Sequence, residues 1–201
     1  MQRARTVRKV GHVLSKLRTA LAAAGIFLVA VIGGVALAPD AASGSGGADS
    51  AGPKWGGKNG VKVVVYDATL TQGLADAVIT AIGSWNQSPV VSLTVSRVPG
   101  DCRDRNGAIV ICEGEDCSGY WALVSTKGRN HISKVRINLM AGCGEWAFRD
   151  AESRINGACH ELGHGLGLFH RDLTSPTCMA HNGSLQPDEV DYETLLQMYA
   201  K

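Results

Sequence analysis

No acidic residue occurs in the first twenty positions, no two cysteines stand in a CxxC spacing, no segment repeats, and charged residues make up only 19% of the 201-residue chain. Each shortage excludes something. Without a CxxC pair, a structural zinc site built of thiolates is a weak reading of the six cysteines. Without a repeat there is no solenoid or array to consider. Low charge combined with 45% hydrophobic residues argues against wholesale disorder and for one packed domain plus an appendage. The formal net charge is +2, but Arg3, Arg5, Arg8, Lys9, Lys16 and Arg18 all fall within the first twenty residues. Taking those six from the 20 basic residues leaves 14 against 18 acidic ones, a net of −4. A nucleic-acid-binding domain carries the opposite sign, so no nucleic-acid partner is expected.

The basic segment at 1–20 precedes an uncharged apolar run at 21–38. That order marks a signal peptide or a membrane anchor. Eighteen residues are short for spanning a bilayer and long for a cleaved signal. Ala36 and Ala38 have the small-residue spacing of a cleavage site, whereas Pro39 directly after them disfavours cleavage. Both secretion and anchoring therefore stay open, and both place the rest of the chain outside the cytoplasm. The rival is a basic tail followed by a buried core helix. Cys102, Cys112, Cys117, Cys143, Cys159 and Cys178 all lie beyond this segment. An even count in an exported chain reads as disulfides.

Residues 39–60 are rich in Gly, Ser and Ala and read as a flexible linker with no core of its own. The domain is expected over 61–201. "VKVVVYDA" predicts a strand. In 69–87, Leu70, Leu74, Ala77, Val78, Ala81, Ile82 and Trp85 recur at spacings of three and four. They predict an amphipathic helix capped by Thr69 or Thr71. "VVSLTVSRV" alternates Val91, Leu93 and Val95 against Ser92, Thr94 and Ser96, a half-buried strand. "AIVIC", "YWALVST" and "KVRINLM" predict three more strands, the last two separated by a turn-like "KGRNHIS". Residues 148–166 and 187–200 predict helices, the second with Asp188 and Glu189 at its positive end. Strand, helix, several strands, helix, irregular loop, helix is an α+β order, a mixed sheet with helices packed on it.

The densest chemistry is "CHELGHGLGLFH", residues 159–170. Helical residues four apart differ by about 40° in direction, so His160 and His164 share a face one turn apart. Two imidazoles so placed can bind one metal ion. Glu161 is rotated by about 100°, away from the ion but within reach of a water on it. Gly167 lets the chain leave the helix with positive φ, and the turn returns His170 as a third ligand. Three imidazoles leave an open fourth position, which marks a catalytic Zn2+ site. The chemistry expected is peptide-bond hydrolysis by an activated water, with Glu161 as general base. The bland alternative is a helix that happens to carry histidines on a polar face. Chance occurrence of the whole pattern in a chain this long is below about one in ten thousand.

With His160, Glu161, His164, Gly167 and His170 in that spacing, the sequence resembles the metzincin zinc metalloproteases. The resemblance implies a zincin with a twisted mixed sheet, an active-site helix and a C-terminal helix. It implies that Met179 in "SPTCMAHNG" forms the methionine turn, an apolar floor beneath the imidazoles. It implies a polypeptide substrate in extended conformation pairing with an edge strand, for which "YWALVST" is the candidate. It also implies that the segments of Cys159 and Cys178 pack together, hence a Cys159–Cys178 disulfide. Cys102–Cys112 and Cys117–Cys143 would complete the set. Some metzincins carry a tyrosine two positions after the turn methionine. Here that position is His181, a fifth ligand, an oxyanion donor or a solvated loop residue. The linker holds no cysteine, so latency through a cysteine-bearing prosegment is not expected. The leading reading is an exported zinc endopeptidase that meets a membrane only through its N-terminal segment if uncleaved. Two others are a catalytically silent binding module on the same scaffold and an anchored structural domain whose zinc only supports folding. Intact Glu161 argues against the silent binding module.

Overall fold

The computed structural model describes residues 52–57, 59–114, 120–128, 130–140, 150–180 and 183–200. The basic segment, the apolar run at 21–38, Cys117, Cys143 and His181 lie outside the described residues. Among those described, no helix is long and apolar enough to cross a membrane. The elements in chain order are β1 (Lys54–Trp55), β2 (Val61–Asp67), α1 (Gln72–Trp85), β3 (Val91–Arg97), β4 (Ala108–Gly114), β5 (Trp121–Lys127), β6 (His131–Met140), α2 (Ala151–Gly165) and α3 (Glu189–Tyr199). Mixed α+β architecture is thus what the chain adopts.

One sheet runs β1-β6-β4-β2-β3, with every pair along it parallel. β5 pairs antiparallel with β6, and it has no second strand partner among the described residues. The β-branched runs explain the centre. Val61, Val63 and Val65 of β2, Ile109 and Ile111 of β4, and Val135, Ile137 and Leu139 of β6 are all buried in one core. Against this face lie Leu74, Ala77, Val78, Ala81, Ile82 and Trp85 of α1 and Ala158 and Leu162 of α2. A Cβ on Gly165 would touch Ile109, Val135 and Ile137, so the end of α2 rests directly on the middle of the sheet. Trp85 then joins three helices: its indole donates to Cys159 O at 2.9 Å, its ring meets Tyr192 edge-on, and the Tyr192 hydroxyl donates to Ser84 O.

Several local expectations need correction. Leu70 was expected on the apolar face of α1 but precedes the helix and is 69% exposed. Val95 is exposed although its alternation matched Val91 and Leu93. Thr71 does occupy the N-cap position, but its side chain makes no cap bond. Its hydroxyl donates instead to Glu113 at the end of β4, whose Oε2 also accepts from Leu70 N and Thr71 N at 2.7 Å each, just ahead of the helix. Thr69 turns its hydroxyl to Asp67. β6 starts at His131, inside the stretch expected to be a turn, since its partner β5 extends to Lys127 opposite it.

The largest departure is the end of the expected linker. Trp55 is buried, its indole donates to Gly165 O at 2.8 Å, and its amide donates to the Tyr199 hydroxyl. Gly52 N reaches Gly167 O, and Lys54 Nζ reaches Met198 O. Residues 52–55 are therefore a strap across the end of α2, and one large aromatic suffices to dock it. Trp55→Ala is expected to cost about 3–5 kcal/mol of stability, read by urea denaturation. A change under about 0.5 kcal/mol, the usual range for a surface site, would mean the strap is decoration.

Candidate metal centre

α2 begins with Asp150 as N-cap, its side chain accepting from Ser153 N at 2.7 Å. Its apolar stripe, Ala158, Leu162 and Leu166, faces the core. The opposite side carries His160 and His164 one turn apart. The helix ends in a Schellman motif: Leu168 N donates to Gly163 O at 3.0 Å and Gly167 N to His164 O at 2.9 Å. Gly167 has φ +94°, and a Cβ there would lie 2.2 Å from Pro53 O. Both the dihedral and the strap demand glycine. This turn carries the chain back to His170.

The three Nε2 atoms converge. His160 and His164 are 3.1 Å apart, His164 and His170 3.0 Å, and His170 and His160 3.0 Å. Ring planes cross at 87°, 71° and 32°, so the nitrogens share a focus while the rings fan out from it. On the far side, His160 Nδ1 lies 2.7 Å from Cys178 O and His164 Nδ1 lies 2.8 Å from Leu168 O. A carbonyl only accepts, so each Nδ1 carries the proton and each neutral ring turns a lone pair inward. Two lone pairs at 3.1 Å repel unless a cation lies between them. Two ligands about 2.0–2.1 Å from one ion in a tetrahedral site are about 3.3 Å apart. The donor type, spacing and tautomers therefore fit a borderline metal ion such as zinc, and the three residues form a group able to hold a metal.

The segment after the third histidine packs against α2. Met179 is fully buried, and a Cβ on Gly163 would lie 2.2 Å from its sulfur. The methionine therefore fits beneath α2 only because residue 163 is glycine. Arg171 N donates to Met179 O. Cys159 and Cys178 are disulfide-bonded, Cα atoms 5.9 Å apart, as are Cys102 and Cys112 at 5.6 Å. On the chain-entropy model a bridge closing a loop of this size stabilises by about 3 kcal/mol. It also ties the residue before His160 to the residue whose carbonyl orients His160.

Glu161 is buried, and burial pushes its carboxyl up to about 8. A cation on the neighbouring imidazoles acts in the opposite direction. Tyr120, just before β5, lies against Gly157, where a Cβ would meet its ring. Burial raises its phenol, and so does the charge of Glu161. Sequence reasoning missed Tyr120, Thr177 and Asp191. Thr177 is buried and accepts from Met179 N at 3.1 Å; it donates to the buried carboxyl of Asp191 on α3. Only the position of Asp191, three after the cap residue Asp188, carried a signal.

The fold and site define a mixed α/β domain with a three-histidine cluster at the end of its second helix. No protein-family model matches the chain, and no curated protein matches it. Among solved structures it is similar to myroilysin, with 12% identity and a TM-score of 0.47 over 74% of this chain and 96% of that one. A second myroilysin structure gives 17% and 0.39 over 78% and 72%. High choriolytic enzyme 1, a hatching-enzyme zinc-protease from the medaka fish Oryzias latipes, gives 14% and 0.38, and covers 58% of this chain and 50% of that one. At such identities and scores, no function carries over from them.

Proposed function

We propose that the protein is an exported zinc-dependent endopeptidase. The observation that carries this is the convergence of three Nε2 atoms to within 3.0–3.1 Å, two of them with Nδ1 anchored on backbone carbonyls. His160, His164 and His170 would hold the ion. Bound there, zinc supplies Lewis acidity, lowering the pKa of a coordinated water to about 7 and polarising a carbonyl. Glu161 follows His160 on α2 and takes the proton of the attacking water, then returns it to the leaving amine. Met179 keeps the underside of the imidazoles dry. β5 lies at the sheet edge beside α2, where an extended polypeptide can add as a strand. Two disulfides suit an oxidising compartment, in keeping with the apolar run at 21–38. The test is a peptide-library digest by the full chain. Cleavage should stop on chelation and return with zinc. A zinc-loaded, folded protein that cleaves no peptide would sink the reading in favour of a silent binding module.

A further inference from the structure

The N-terminus of α3 is built in an unusual way. Asp188 caps it, accepting from Asp191 N at 2.9 Å, and Asp191 answers by accepting from Asp188 N at 3.1 Å. That reciprocal box closes equally well at a protein surface. Here the carboxyl of Asp191 is only 2% exposed. Burying a carboxylate is costly unless it is compensated, and helix capping alone does not require it. The same Oδ2 that closes the box also accepts from the Thr177 hydroxyl. Thr177 Oγ1 in turn accepts from Met179 N, and Cys178 N donates to Gln186 O at 3.0 Å. The peptide held between these bonds carries Cys178 O, which accepts from His160 Nδ1 at 2.7 Å. A continuous chain of hydrogen bonds thus runs from α3 through the methionine turn to the first imidazole.

We propose that Asp191, acting through Thr177, is a positioning residue for the metal centre: it holds the methionine turn at the height where Cys178 O orients His160. The proposal rests on the zinc-site reading. Outer partners that orient a ligating imidazole contribute about 10- to 100-fold in metal affinity. Neither residue touches the ion's position, so their effect travels through the turn.

The test measures zinc affinity of the full chain by competition with a chromophoric chelator, beside thermal unfolding of the metal-free form. Thr177→Val removes the hydroxyl at nearly constant volume, and Asp191→Ala removes its acceptor. Each is expected to weaken zinc binding about 10- to 100-fold. Thr177→Ser and Asp191→Asn keep the hydroxyl and the accepting oxygen and should stay within a few-fold of wild type. Should Thr177→Val fail to fold, Asp191→Ala carries the comparison. Disruptive variants that melt earlier without metal yet bind zinc like wild type would overturn the proposal and leave the peptidase reading standing. A wild-type chain that binds no zinc would overturn both. Zinc binding that weakens as expected, in a protein that cleaves nothing, would support the positioning role and remove only the peptidase.

Discussion

Glu161→Gln is expected to leave zinc binding within a few-fold of wild type while peptide hydrolysis falls by about 10²- to 10⁴-fold, the usual contribution of a positioned general base. The separation follows from geometry. His160 and His164 point to the shared focus because they lie one helical turn apart, and Glu161 is turned about 100° from the first of them. It would therefore reach a water on a bound ion without ligating the ion. The fold should tolerate the change, because Glu161 is only 5% exposed and a buried carboxylate is costlier than an amide of the same shape. Loss of activity would then not be loss of structure. Isothermal zinc titration and cleavage of a peptide selected from the library digest check the two halves separately. A variant that loses zinc and hydrolysis together would make Glu161 a ligand or a structural residue, and the general-base role would be wrong.

His164→Ala is expected to do the reverse, abolishing cleavage by abolishing tight zinc binding. The loss should exceed the about 10- to 100-fold that outer partners contribute. The same substitution removes one of three ring nitrogens crowded within 3.0–3.1 Å, so the metal-free variant should be about as stable as metal-free wild type. Wild type, in contrast, should gain about 4 kcal/mol at a zinc concentration near a thousand times its Kd. The signature is a melting temperature that rises with zinc in wild type and stays flat in the variant. If zinc raises both equally, the ion binds elsewhere.

The candidate metal centre was open to reading because one helix and one turn carry all three of its histidines. His160, Glu161 and His164 are spaced by helical geometry, and the Schellman bonds of Gly167 and Leu168 make the turn that His170 needs. The Cys159–Cys178 pairing came from the resemblance and is present, as is Cys102–Cys112. What escaped was tertiary. Trp55 sits in a glycine-rich stretch with no period to read, and only its distant partners Gly165 and Tyr199 explain its burial. Thr177 and Asp191 are ordinary polar residues until fourteen positions of chain fold back and join them. Leu70 matched the helical period but lies ahead of the helix, its amide bonded to Glu113 of another strand, a partner 43 positions away that no local pattern reveals.

X-ray absorption of the zinc-loaded full chain, with metal stoichiometry measured on the same sample, bears most directly on the central claim. One zinc per chain, with three imidazole nitrogens at about 2.0–2.1 Å and one oxygen ligand completing four-coordination, is the predicted result. Absence of bound zinc, or a shell with fewer than three imidazoles that is unchanged by His160→Ala, His164→Ala or His170→Ala, would contradict it.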